Sequence, residues 1–250
     1  MRVKLILFSL FFTLIFAQQN LWANNSLYVF YPTDIRPIKM EKHILRYCPE
    51  INITVFGKII DFQEYTQKIP PDAILSYAPV IKKNKQYASL IKGFKKGRSD
   101  EDYVLVAIGK AIQIEQLPSI KIGVLDILGR KAMKAFVNNK LGTKVRIARV
   151  TKTEDILNLL TFGLVDAILI SQQRYKKLLS QSKLKLVATE LDIQMDLAIL
   201  AVKNIESKEL FLKCFNRLGE KTNELLGVDH WVKINQQGYL YIGVELWALK

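Results

Sequence analysis

Between Ile120 and Ser171 short apolar runs alternate with amphipathic ones so regularly that few architectures can hold the chain. Ile120 to Leu125 reads as a strand, Gly129 to Asn139 as a helix and Lys144 to Val150 as a second strand. Glu154 to Phe162 then reads as a helix and Asp166 to Ser171 as a third strand. Two consecutive strand–helix–strand units follow. The run Ala167-Ile-Leu-Ile170 is apolar on both faces, as a strand inside a helix-covered parallel sheet must be. Ile156, Leu157, Leu160 and Leu164 form the stripe of the second helix. Thr151 and Glu154 have capping-box spacing before it, and Gly163 stands where it would stop.

The part before this block repeats the plan less cleanly. Leu27 to Tyr31, Ile51 to Phe56 and Ala73 to Ser76 are strand-like, with helical stretches at Met40 to Tyr47 and Phe62 to Lys68 between them. Tyr103 to Ile108 and Leu197 to Val202 are further apolar strands, placed so that they could cross between two lobes, and Leu186 to Thr189 is a shorter one. A long helical region spans Ser207 to Leu226, and an aromatic tail carries Trp231, Tyr239, Tyr241 and Trp247. The expected division is a first lobe from residues 24–112 and 193–250 and a second lobe from 113–192.

Arg2 and Lys4 precede an apolar run from Leu5 to Phe16, followed by Leu21-Trp22-Ala23, which reads as a secretory signal cut after Ala23. Twelve residues are too few for a bilayer-spanning helix, which needs roughly 20, so stable membrane insertion after cleavage is not expected. A periplasmic location follows. Without Arg2 and Lys4 the formal charge of +14 becomes +12, which favours anionic company. The densest basic stretch, Lys82 to Arg98 with Tyr87 and Phe94 interleaved, could face nucleic acid, but a solvated surface fits an exported protein better and no nucleic-acid partner is expected. Two cysteines occur. An oxidising compartment permits a Cys48–Cys214 bridge, while Cys214 on the stripe Phe211, Cys214, Phe215, Leu218 also suits a buried free thiol.

The order of elements, together with Ile122-Gly-Val-Leu before Gly129-Arg, Thr153-Glu-Asp-Ile-Leu-Asn-Leu-Leu and Gly163-Leu-Val-Asp-Ala-Ile-Leu-Ile, resembles the type II periplasmic solute-binding proteins of ABC transporters, nearest to the amino-acid and phosphonate-type branches. The resemblance covers most of residues 27 to 226. It implies an α/β, two-lobed fold, each lobe a mostly parallel sheet flanked by helices, with crossing hinge strands. It also implies a monomer that closes on a small-molecule solute and delivers it to an ABC permease.

In open α/β sheets a ligand lies beyond the carboxyl ends of the parallel strands. That rule selects Tyr31, Thr33 and Asp34 with the nearby cation Arg36, then Ser76 and Tyr77, then Asp126, and finally Ser171 with Gln172. Thr33 and Asp34 beside Pro32 also suit a plain turn, and Asp126 a helix cap. The resemblance places the loop carrying Ser76 and Tyr77 at the cleft. Two features depart from amino-acid binders of this type: Val104-Leu-Val-Ala-Ile-Gly carries no Arg, and Ser171 stands where an Asp would hold an ammonium group. A free amino acid is therefore not expected, and the positive net charge favours a phospho-type or other anionic solute.

Other chemistry finds little footing. No Gly-x-Ser-x-Gly elbow occurs, two histidines (His43 and His230) cannot build a multi-His metal site, and Gly123 and Gly129 do not complete a dinucleotide-binding fingerprint. No cofactor is expected. Alternative roles on the same fold are a sensory or partner-binding module and an exported, dehydratase-like enzyme, for which Asp34, Glu64 and Asp126 are the conceivable acid–base carboxylates.

Overall fold

The computed structural model describes residues 25–234; the signal segment and the tail residues Tyr239, Tyr241 and Trp247 lie outside them. Two sheets organise the molecule. In the first, β1 (Ser26–Val29) pairs in parallel with β2 (Asn52–Val55) and β3 (Ala73–Ser76). Beyond β3 lie β10 (Ile199–Val202), β4 (Ala88–Phe94) and β11 (His230–Lys233), paired antiparallel. Helices α1 (Pro37–Leu45) and α2 (Ile59–Lys68) are the crossovers between the parallel strands, and α3 (Ala78–Lys83) follows β3. In the second sheet β6 (Lys121–Leu125) is parallel to β7 (Arg146–Val150) and β8 (Ala167–Ser171). Next to β8 run β5 (Asp100–Ile108) and then β9 (Leu186–Asp196), both antiparallel to their neighbours. Helices α4 (Arg130–Leu141), α5 (Asp155–Thr161) and α6 (Gln172–Gln181) cover this sheet.

The two-faced strands predicted from their apolar runs are two-faced in the structure. Val104 and Val106 of β5 and Ile168 and Ile170 of β8 join Ile156 and Leu160 in one core cluster. Leu105, Ala107, Ala167 and Leu169, the alternate residues of the same strands, join the main core on the opposite face. Gly163, with φ of 64°, ends α5 as expected.

Four features depart from the sequence reading. First, β5 finds its backbone partners on β8 and β9, so it belongs wholly to the second sheet and β10 wholly to the first. The described chain therefore passes between lobes at residues 95–99 and 197–198, not at 112 and 193, and Leu197 N–H donates to Ser99 O at 2.9 Å where the two passages lie side by side. Second, the basic stretch is not a simple surface loop: it contains β4, whose Ile91 is buried, while Lys92 pairs with Asp196 and Arg98 with Asp100 and Asp102. Third, the helical region after Ser207 divides into α7 (Lys208–Arg217) and α8 (Glu220–Leu225). At the break, a Cβ on Gly219 would stand 2.2 Å from Tyr47 Oη, so only glycine permits this approach. Fourth, the capping box at Thr151 does not form, because Glu154 is itself the N-cap of α5 and Thr151 lies a further three residues back.

Cys48, just past α1, and Cys214 on α7 form a disulfide between two fully buried side chains. Among the described residues no helix is long and apolar enough to cross a membrane.

Candidate functional site

The parallel strands of both sheets end at the groove between the lobes. In lobe one, the chain continues from β1 through Phe30 to Tyr31, and from β3 to Ser76 and Tyr77. Ser76 is fully buried, and its hydroxyl donates to Phe30 O at 2.7 Å. This bond ties the two strand ends together, and the rings of Tyr31 and Tyr77 stack with centroids 4.5 Å apart and planes inclined by 29°. Ser76 thus supports the floor of the groove from beneath and does not line it.

Lobe two supplies the facing wall. Tyr103 on β5 lies opposite Ser171 at the end of β8, and Glu101, two residues earlier, shares the face of Tyr103. The Ser171 hydroxyl accepts the backbone N–H of Arg174 and so caps α6, which aims Arg174 and Lys177 into the groove. The cleft enclosed in this way has a volume of about 700 Å³ and is floored by Tyr31, Tyr77, Glu101, Tyr103, Ser171 and Arg174.

At the rim the lobes touch. The loop after β1 carries Thr33 and Asp34 across to lobe two, where the hydroxyl of Thr153 donates to Thr33 O at 3.2 Å and to Asp34 Oδ1 at 3.1 Å. Lys177 donates to Asp34 Oδ2, and the Arg174 guanidinium lies 3.5 Å from Oδ1. On the far side, Gln63 and Lys83 of lobe one donate to Leu128 O of lobe two at 3.5 and 3.2 Å.

Of the residues selected from sequence, Tyr31, Thr33, Asp34, Tyr77 and Ser171 line this cleft. Arg36 lines a neighbouring chamber of about 660 Å³ with Lys58 and Lys152, beyond the Asp34–Thr153 contact. Asp126 is 5% exposed and turned inward: it pairs with Arg149 and accepts the backbone N–H of Gly129 at 2.7 Å and of Leu128 at 3.4 Å, shaping the turn before α4. Sequence reasoning passed over Glu101, Tyr103, Thr153, Arg174 and Lys177. Glu101 and Tyr103 escaped because β5 is antiparallel and so brings its first residues to the cleft, where a rule based on carboxyl ends does not look. The local signal was Asp-Glu-Asp-Tyr, residues 100 to 103, directly before an apolar run.

Burial pushes the Glu101 carboxyl above its ordinary value of 4.5; a bond from Ser171 and the charges of Arg174 and Lys95 offset this only partly. Burial also acts upward on Asp34, but the hydrogen bond from Lys177, the charges of Arg174 and Lys177 and the bond from Thr153 outweigh it and hold this carboxyl below 3.8. Tyr31, Tyr77 and Tyr103 are raised, chiefly by burial, so their hydroxyls stay protonated and can donate throughout the physiological range. Among the described residues no group of three or more His, Cys, Asp or Glu side chains could hold a metal ion.

Two sheets linked by two adjacent crossings, with a cleft at the strand ends, define the two-lobed type II periplasmic-binding-protein fold, and solved structures bear this out. The chain is similar to XAC2383 from Xanthomonas citri bound to ATP, with a TM-score of 0.64, 9% identity and coverage of 86% of this chain and 94% of that one. It is also similar to AbpA, an amino-acid ABC transporter substrate-binding protein from Streptococcus pneumoniae bound to L-arginine (TM-score 0.56, 14% identity, 84% and 96% coverage). A third similar structure is the VFT2 domain of BvgS from Bordetella pertussis (TM-score 0.56, 9% identity, 81% and 91% coverage). At these identities the likeness is one of fold. No protein-family model matches the sequence. No curated protein matches it either.

Proposed function

We propose that the protein is an exported solute-binding protein that closes its two lobes on a small polar molecule and presents it to an ABC-type importer. The observation that carries this reading is the cleft: both lobes contribute to one walled space whose floor is aromatic and whose wall bears fixed charges of both signs. Similar structures of amino-acid ABC transporter substrate-binding proteins, AbpA among them, support it. Export is supported by the signal-like segment and by the buried disulfide, which suits an oxidising compartment.

An anionic solute, expected from net charge, now has a specific basis in Arg174 and Lys177, but Glu101 shares the floor with them. The solute we envisage therefore carries an oxyanion at one end and a polar or cationic group that can meet Glu101 and the tyrosines at the other. Tyr31, Tyr77, Tyr103 and Ser171 would contact it, with Thr33 at the rim.

A thermal-shift screen of residues 24–250 against carboxylates, phosphonates, phosphate, amino acids and sugars tests the reading. A ligand that binds only the folded form raises the midpoint. One class should do so, and Tyr77→Ala should abolish the shift. A midpoint unmoved by every class would refute solute binding and favour a partner-binding module; chemical conversion of the bound solute would favour an enzyme.

A further inference from the structure

The wall of lobe two already holds a carboxylate, and that carboxylate belongs to the protein. Asp34 receives the Thr153 hydroxyl on one oxygen and the Lys177 ammonium on the other, with the Arg174 guanidinium 3.5 Å from the first. These donors come from two separate elements of lobe two, the turn before α5 and the first turns of α6. Thr153 is 6% exposed, so its hydroxyl is a fixed donor and not a surface group that happens to reach. Two cations and a buried hydroxyl around one carboxylate match what an external oxyanion would need.

The occupant is held loosely compared with its holders. The Asp34 side chain is 46% exposed and that of Lys177 48%, and ion pairs with such access to water are individually weak and screened by salt. Asp34 also rides on the loop after β1, so it reaches the set only while the rims touch. Of the other carboxylates lining the cleft, Glu154, Glu224 and Glu101, none makes these contacts: Glu224 pairs with Lys221, and Glu101 lies on the floor beside Ser171.

Building on the solute-binding reading above, we propose that Thr153, Arg174 and Lys177 form the oxyanion subsite of the cleft, that the group it takes is a carboxylate, and that Asp34 is an internal stand-in which the solute displaces. The rest of such a solute would extend from Arg174 over the tyrosine floor. The proposal reverses the role that sequence position suggested for Asp34. A residue that contacts the solute weakens binding when removed; a residue that occupies the subsite only in the free protein strengthens it, because its contacts stabilise the unbound state alone.

Acetate is the simplest probe. The full mature chain and its Asp34→Ala, Asp34→Asn and Asp34→Ala/Arg174→Ala/Lys177→Ala variants would be titrated with sodium acetate by thermal shift, against sodium chloride at matched ionic strength, with far-UV circular dichroism to check folding. Both single variants should respond to acetate at roughly three- to tenfold lower concentration than the parent, the range that a few weak ion pairs provide. The triple variant should not respond beyond chloride. An acetate response that is absent from the single variants, weaker than in the parent, or retained in the triple variant overturns the proposal. The solute-binding reading fails separately: it falls if the screen above yields no Tyr77-dependent ligand, whereas a Tyr77-dependent ligand combined with no acetate response sinks only the subsite.

Discussion

Breaking the Cys48–Cys214 bridge should destabilise the protein by several kilocalories per mole without disturbing its packing. The two cysteines are 166 residues apart in sequence, and the loop they close contains the whole second lobe. In the chain-entropy model, a cross-link over a loop of that length removes about 17 cal/mol/K from the unfolded ensemble, or about 5 kcal/mol at 25 °C. Natural disulfides deliver part of such a ceiling, so ~3–5 kcal/mol is expected. Reduction is the cleaner perturbation. Both side chains are fully buried, and a thiol pair fills the same space, whereas Cys→Ala would add a packing loss. Trp231 offers a reporter in the same lobe: its ring meets Phe215, the neighbour of Cys214, edge-on at 4.9 Å, and its Nε1 donates to Asn223 at 2.9 Å. In a Trp247→Phe background it is the remaining tryptophan of residues 24–250. Urea unfolding followed by its fluorescence, with and without reductant, should show a midpoint lower by about 1–2 M when reduced, taking a slope of ~2–3 kcal/mol/M. Coincident midpoints would refute the reasoning, and so would a shift of equal size in a Cys48→Ala/Cys214→Ala protein after addition of reductant, since that protein has no bridge to break.

Other positions give sharp expectations. A Cβ added to Gly93 would fall 2.2 Å from Val228 Cγ1, so Gly93→Ala should cost about 1–3 kcal/mol in denaturant unfolding, and combining it with Val228→Ala should recover part of that loss. Because folding raises the Glu101 carboxyl above 4.5, the native state binds the proton more tightly than the unfolded one, and stability falls as pH rises from about that value through the folded-state value. Glu101→Gln should therefore raise the melting temperature at neutral pH, with the gain gone by about pH 3.5; a gain that persists in acid would show that charge burial is not its source. Asp34 has the opposite sign: its carboxyl is held below 3.8, so the rim contact persists at neutral pH and is lost as pH falls through that lowered value. Small-angle scattering should show the lobes separating there, and an Asp34→Asn protein should lack the transition.

Much of the architecture was visible in the pattern of apolar residues because parallel strands buried on both faces must be continuously apolar, and β1, β3, β6 and β8 are. β4 was hidden by its own chemistry. Its Lys92 is largely buried against Asp196, and a charged residue satisfied by a partner 104 positions away looks, in sequence, like solvent-facing surface. The break between α7 and α8 was hidden for a related reason: Gly219 makes room for Tyr47, a residue from a distant part of the chain. Within the site, strand-end reasoning reached Tyr31, Tyr77 and Ser171, and it also reached Ser76 and Asp126, which sit at strand ends but face inward to Phe30 O and Arg149. A strand end marks a place and leaves the direction of the side chain open. Thr153 illustrates the converse, since the spacing that suggested a capping box marked a turn whose hydroxyl bonds to the other lobe.

The position of β5 also governs how the proposed closure would grip a solute. The lobes are joined at residues 95–99 and 197–198, where Leu197 and Ser99 are hydrogen-bonded, so any rotation of one lobe against the other has its axis near that pair. Displacement in a rotation grows with distance from the axis. Glu101 follows Ser99 by two residues, and Tyr103 by four, so both stay nearly fixed relative to lobe one as the lobes part. Arg174 stays beside Glu101 and Ser171, whereas Thr153 and Lys177, which hold Asp34 across the rim, part from lobe one when the lobes separate. Glu101, Tyr103 and Arg174 are thus a platform present in open and closed forms alike, while Asp34 meets Thr153 and Lys177 only on closure. A solute would bind first on that platform and then replace Asp34 at Thr153 and Lys177 as the lobes close, which makes the affinity of the platform a property of the open protein and that of the rim a measure of closure itself.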